Sequence, residues 1–473
     1  MLALLASGLV AGCGFQIYSP KPIDPAQSVA RYQAHDVNSA EFNNYLISQG
    51  YARDQLPIKK WDLRELTLSA LFFHPELDVA RAKWRAAQAA EITAGQRRQV
   101  PGISGNIERH SQHSGGISPW SYGLSINIPI ETGNKRQARI DQAKNLSEAA
   151  RIEIAQTAWQ VRSRLADSLI DYHASLQQTQ ILRQEVTLRS EIVAMLEARL
   201  NVGLISNTEI SNGRLQLQKI QQALEAEKGR APQLLAALAS NAGLSVYAFS
   251  QLNLASSVTQ SAAVPLQSDK DIQQAALLNR LDIRAALARY DATEAKLRLE
   301  IARQYPDITL SPGYSFDQGD RIWSLGLSTL LALLTGNKNE GLIAEARALR
   351  EVEGAQFEAL QAKIIGETSQ SKAQYDAAVN QLEKAKVLQA SQLARTEQTR
   401  HQFDIGLVDR LELTTAKLEN LAYVAQVFSA EQKLKRAAQA IENIMQRPLD
   451  NSEYPVALGL ITGPNTELKD IPQ

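Results

Sequence analysis

The chain has 473 residues, a length that ordinarily makes two or three domains. Lys and Arg number 50, and Asp and Glu also number 50, so no excess charge asks for a nucleic-acid partner. A single cysteine, Cys13, excludes a disulfide within the chain and a cysteine metal cage.

At the N-terminus, Met1 to Gly12 is an apolar run that closes on small residues directly before Cys13. This resembles the lipobox of a bacterial lipoprotein, in which the cysteine carries the lipid, although no Lys or Arg precedes the apolar stretch. The alternative is a frayed apolar terminus with an incidental cysteine. One lipid chain anchors weakly, so a lipidated Cys13 predicts a second membrane attachment. Residues 14–60 hold Pro20, Pro22, Pro25 and Pro57 with little periodicity, and are read as an extended arm. From Trp61 to about Arg98 the pattern is helical, and Pro101 stops it.

Residues 101–131 change period. Tyr122, Leu124, Ile126, Ile128 and Ile130 alternate with Gly123, Ser125, Asn127 and Pro129, the mark of a strand with one apolar and one polar face. A shorter apolar set, Ile103 and Ile107, precedes a polar turn from His110 to Pro119. Residues 306–334 repeat the arrangement, with Trp323, Leu325 and Leu327 against Ser324, Gly326 and Ser328 and a turn at Asp317 to Asp320. Strands of this length suit a transmembrane barrel. The most apolar stretch after the N-terminus, Ile322 to Leu334, carries Ser324, Ser328 and Thr329 and is too short for a membrane-spanning helix.

Each hairpin leads into a very long helix. No Gly or Pro occurs from Asn134 to Val202, a stretch of roughly 100 Å if helical throughout. The second half has no Pro from Gly313 to Arg447. Both long helices end alike, at Leu200-Asn201-Val202-Gly203-Leu204 and at Asp404-Ile405-Gly406-Leu407. Gly in the left-handed region is the common C-cap, and Ser206 or Asn207 and then Asp409 can cap the returning helices. Gly203 and Gly406 lie 203 residues apart, as do Glu209 and Glu412. Gly133-Asn134-Lys135 matches Gly336-Asn337-Lys338, and Val100-Pro101 matches Tyr305-Pro306, at offsets within two residues of this. Such a period is far too long for a solenoid and reads as a duplicated half-molecule. The expected division is a signal segment 1–13, the arm 14–60, a first repeat 61–243, a linker 244–270, a second repeat 271–447 and a tail 448–473.

Helix, strand hairpin, long helix, Val-Gly-Leu turn and returning helix, all twice, resemble the TolC family of bacterial outer-membrane efflux proteins. His74-Pro75-Glu76-Leu77 with Arg280-Leu281-Asp282-Ile283, and Pro129-Ile130 before Gly133, add to the likeness, which covers about residues 62–446. The resemblance implies a mainly α protein with a small β part. In a homotrimer, duplicated helical hairpins would form an α-barrel, and four strands per chain would enter a shared twelve-stranded transmembrane β-barrel in outer-membrane lipid. It implies a passive duct with no cofactor, working with a periplasmic adaptor and an inner-membrane efflux transporter of the RND type; the lipid-bearing branch of the family matches Cys13. Pro129 to Arg136 also resembles a run from the branch that serves divalent-metal pumps, except that Asn134 stands where that branch has Gly. A protein-secretion duct has the same architecture. A soluble coiled-coil scaffold has no use for the alternating segments or for a lipidated Cys13.

Two sets of site residues follow. Val202, Gly203, Leu204, Ile405, Gly406 and Leu407 form the two tips, where the adaptor is expected to dock. Glu209 and Glu412, with Asp404 and Asp409, are expected to line the closed periplasmic entrance, and Arg199 and Arg410 are candidates to pair with them. Acids near a helix start are also favoured by the helix dipole without any channel role. His110 and His113 are read as solvated loop residues, since two ligands do not make a zinc site. No phosphate loop or nucleophile elbow occurs, and an enzyme is not expected.

Overall fold

The computed structural model describes residues 18–111, 115–116, 118–255, 269–329 and 339–449. Cys13, His113, the centre of the linker, Gly336-Asn337-Lys338 and the tail from residue 450 lie outside the described residues.

The arm is not extended. It holds α1 (Pro25–Gln33), α2 (Ala40–Ser48) and a 3-10 turn at Arg53–Gln55. Its prolines bound helices instead of excluding them. Pro25 occupies the first helical position, where its missing N–H costs nothing, and the Asp24 carboxylate accepts from the Ala26 and Gln27 amides. Ser39 caps α2 in the same way. Phe42 and Leu46, one turn apart on α2, are wholly buried against Trp61, Leu66, Leu238 and Phe249. That apolar pair is what draws the arm onto the body.

The helix expected from Trp61 to Arg98 is two helices, α3 (Leu63–Phe73) and α4 (Pro75–Gly95). Pro75 cannot continue α3 and instead starts α4, while the His74 ring accepts from the Glu76 amide. The strands β1 (Gly102–Arg109) and β2 (Trp120–Ile130) follow, then α5 (Lys135–Asn201, 67 residues), α6 (Asn207–Asn241) and α7 (Val246–Ser250). The second half runs α8 (Asp269–Asn279), α9 (Leu281–Ala302), β3 (Ile308–Asp317), β4 (Asp320–Thr329), α10 (Glu340–Asp404, 65 residues) and α11 (Arg410–Met445). Element for element, α8 to α11 repeat α3 to α6. The α8–α9 break falls at Arg280, which matches His74 but precedes no proline. Arg280 is held there by Asp282 at 2.7 Å and the Ile444 carbonyl at 3.3 Å, so tertiary contacts make this break.

α5 is the axis of the body, packed by α4, α6, α9 and α11, and α11 is the antiparallel partner of α10. Ala155, Ala158, Ala285 and Ala292 are buried where helices approach one another, small residues that allow close backbones. The two long helices start alike, on Asn134 (φ 58°) and Asn339 (φ 56°), both left-handed. At the helix start Asn339 thus occupies the place of Asn134.

All four strands make one antiparallel sheet in the order β1-β2-β3-β4. The central pair, β2 with β3, joins the two repeats, with Tyr122 opposite Phe316 and Ile130 opposite Ile308. Residues opposite one another share a face. One face therefore carries Ile103, Ile107, Leu124, Ile126, Leu310, Leu325 and Leu327, and the other Ser104, Ser125, Asn127, Ser311 and Ser324. Apart from the half-buried Leu310, these apolar side chains are exposed in the single chain, Leu325 to 74%. At the end of the sheet away from the helices this face carries aromatic pairs, Tyr122 stacked on Phe316 and Tyr314 against Trp323, with the Arg109 guanidinium over Trp120.

Candidate functional site

The two tips are built identically. At the first, the Gly203 amide donates to the Leu200 carbonyl at 2.9 Å and the Leu204 amide to the Arg199 carbonyl at 2.9 Å. At the second, Gly406 donates to Phe403 at 3.0 Å and Leu407 to Gln402 at 2.8 Å. The pattern satisfies the last carbonyls of each long helix and requires positive φ at its glycine, 76° at Gly203 and 78° at Gly406. Nothing lies within 4 Å of where a Cβ would stand at either glycine. The backbone is thus accessible, and Val202, Leu204, Ile405 and Leu407 project around it, all more than half exposed. Paired apolar knobs on bare turns are a surface of the kind that buries against a partner.

The acids expected at the entrance are less uniform. Glu209 closes a capping box: its amide donates to Ser206 Oγ at 3.4 Å, and its carboxylate accepts from the Ser206 amide at 3.4 Å. Glu412 donates its amide to Asp409 Oδ1 at 3.0 Å, and its own carboxylate is exposed. Asp409 is the cap of α11 and the ion-pair partner of Arg199, at the end of α5. That pair ties the first hairpin to the second. The Glu412 amide, and then the Arg199 guanidinium, hold the Asp409 carboxyl below the usual carboxylate range. Asp404 is exposed at the end of α10, and Arg410 makes no ion pair with it. One chain does not bring Glu209, Glu412 and Asp404 into a single cluster, and among the described residues no three His, Cys, Asp or Glu converge as a cation cage.

At the opposite end, His110 is not a solvated loop residue. Its ring Nε2 lies 2.9 Å from Ser121 Oγ, Ser121 donates to Asp317, and Nε2 stands 3.5 Å from the same carboxylate. Three strand ends are thereby joined on the polar face. Further along that face, Asn127 donates to Ser104 Oγ and accepts from Ser311 Oγ, both at 2.7 Å. Two buried clasps were not legible in the sequence. Lys135 Nζ, at the start of α5, donates to the Tyr305 carbonyl at 2.5 Å and to Asp307 at 2.6 Å. Arg162 of α5 meets Glu442 of α11 at 3.1 Å, both almost wholly buried, with the guanidinium over the Trp159 ring. A charge on a helix is ordinarily solvated, and nothing local marks these two as inward.

The outer membrane efflux protein family matches residues 68–244 and 272–446, and the chain belongs to that family, whose members are channels and not enzymes. The chain is 26% identical over 246 residues to the cobalt-zinc-cadmium resistance protein CzcC of Cupriavidus metallidurans. That alignment takes in 50% of this chain and 56% of the relative. It is 24% identical over 281 residues to the nickel-cobalt-cadmium resistance protein NccC of Alcaligenes xylosoxydans xylosoxydans, across 58% of this chain and 61% of the relative. The chain thus spans little more than half the length of these curated relatives. The crystal structure of the outer membrane protein VceC of Vibrio cholerae shares the fold, with a TM-score of 0.65, 19% identity, and 82% of this chain and 97% of that one covered.

Proposed function

We propose that the protein is the outer-membrane exit duct of a tripartite efflux system, acting as a homotrimer. The observation that carries this is the sheet. It has one apolar and one polar face, β1 and β4 have no pairing partner on their outer edges among the described residues, and both hairpins continue into helices of about 100 Å. No helix among the described residues is long and apolar enough to cross a membrane. A sheet enters lipid only when its edges are closed. Three copies close them, giving twelve strands with the leucine and isoleucine face outward, and carry the helices on as a tube. The aromatic pairs then sit at one membrane interface, as such belts do.

The tube has no energy source of its own. An inner-membrane transporter supplies it, and a periplasmic adaptor docks at the Gly203 and Gly406 tips. The metal-resistance relatives support divalent cations as the cargo, ahead of a protein-secretion role. Cys13 carries the second, lipid anchor. If so, labelled fatty acid enters the wild-type protein and not Cys13→Ser, while the barrel keeps the variant in the membrane. Incorporation into both would remove the lipid anchor.

Docking is tested at the tips. Gly203→Trp or Gly406→Trp fills open space and strains only its own turn, where φ is positive, so the trimer and its membrane location persist while metal resistance in cells is lost. Wild-type resistance in both variants would take the tips out of the docking site.

A further inference from the structure

We propose that the strand-to-helix junctions carry a charge swap that orders one copy of this chain against the next, with Glu340 of one copy paired to Arg97 and Arg98 of its neighbour. The proposal rests on the trimeric reading above.

Within one chain the two repeats are clasped where strands become helices. Lys135, the first residue of α5, reaches the α9–β3 link at Tyr305 and Asp307. The Thr132 amide donates to the same Asp307 oxygen at 3.1 Å, and Thr132 Oγ1 donates to the Pro306 carbonyl at 2.7 Å. Lys135 is buried, although a cation at a helix start opposes the helix dipole. The clasp is what makes its position favourable.

The second repeat presents the same start with the opposite charge. Asn134 and Asn339 share one left-handed conformation, 205 residues apart, and Glu340 stands where Lys135 does. Its counterpart surface also follows from the repeat. Tyr305-Pro306-Asp307 lies 205 residues after Val100-Pro101-Gly102, so Glu340 calls for the link between α4 and β1. In its own chain that link is out of reach. β1 and β4 are opposite edges of the sheet, three strand spacings or roughly 14 Å apart. The link therefore belongs to another copy, whose β1 edge meets this copy's β4 edge.

The link has no acid at the place of Asp307; Gly102 is there instead. It carries Arg97 and Arg98, both exposed. Neither arginine, nor Glu340, makes a side-chain ion pair among the described residues. A first-repeat junction set against another first-repeat link would face Lys135 with Arg97 and Arg98. A second-repeat junction on a second-repeat link would face Glu340 with Asp307. Both arrangements oppose like charges, and only alternation of first and second repeats around the ring is complementary. Such repulsion selects among otherwise similar partners. Dipole preference alone explains Glu340 at a helix start, but not the reversal at Lys135.

The test uses full-length chains in the Cys13→Ser background, so that introduced thiols are the only ones. Chains with Arg98→Cys and chains with Glu340→Cys are produced together, extracted in detergent and treated with a short bis-maleimide. A two-chain band is expected from the mixture and not from either variant alone. Chains carrying both substitutions should give a three-chain band. Light scattering on the same samples reports assembly independently. A trimer that gives no mixed band, or bands of equal strength from single variants, overturns the pairing while leaving the trimer in place. A monomer removes the trimeric reading and the pairing with it.

Discussion

Arg162 and Glu442 show how much a residue's meaning depends on its surroundings. They lie 280 positions apart and join the middle of α5 to the end of α11 in a site closed to water. Glu442 also accepts from the Leu449 amide at 2.8 Å. A buried charge stripped of its partner costs ~3–5 kcal/mol, whereas an apolar pair of similar volume can be neutral. Glu442→Leu should therefore lower the thermal unfolding midpoint sharply, and Arg162→Met with Glu442→Leu should recover most of the loss. Circular dichroism in detergent measures both; a double variant as unstable as the single one would show that the site needs its charges. The tip glycines act differently. Their surroundings are empty, so what selects Gly there is backbone conformation alone.

At the scale of elements, the strands are set by alternation and the long helices by packing. In β2, Ile126 lies on the face with Ile103 and Leu325, and Ser125 on the other. Arg on a lipid face costs ~2–4 kcal/mol near the membrane midplane and much less in a lumen. Ile126→Arg should accordingly cut the yield of membrane-inserted trimer, and Ser125→Arg should leave it nearly unchanged. Equal yields would count against a barrel. The helices carry exceptions that packing accommodates. Pro232 lies inside α6, and Gly213 sits where a Cβ would come within 3.0 Å of the Leu196 side chain. That glycine keeps α6 close to α5 near the tip.

For the whole molecule, the proposed duct role is tested at the end that carries the two tips. Arg199 with Asp409 ties the two hairpins of one chain, and the Glu209 and Glu412 side chains beside them are exposed; the proposed trimer would set three copies of each around one axis. Rings of carboxylates favour cations and set barriers to opening. Glu209→Gln with Glu412→Gln should reduce cation preference in planar-bilayer recordings. Unchanged preference, with only a small loss of stability, would leave both as helix-start acids, a role in which the Ser206 capping box already employs Glu209.

The duplication, the alternating strands, the two long helices and the glycine turns were legible because each rests on local chemistry. Period two, the absence of helix breakers and positive φ at glycine all leave their mark within a few residues. The helices of the arm are hidden in the sequence because its prolines look like breakers until Asp24 and Ser39 are seen capping helices, and because Phe42 packs on Trp61, Phe72 and Phe73 together with Leu238 and Phe249, the last two more than a hundred residues away. The α8–α9 break at Arg280 has no proline and is made by Asp282 and the end of α11. Lys135 with Asp307, Arg162 with Glu442 and Ser121 with Asp317 are pairs between distant segments, and sequence spacing carries no information about which solvated-looking group finds a partner. By itself the sequence determined the repeat, the strands, the long helices and the glycine turns at their ends. Only the tertiary structure decided which charges are buried together, because that depends on which helices and strands the chain brings side by side.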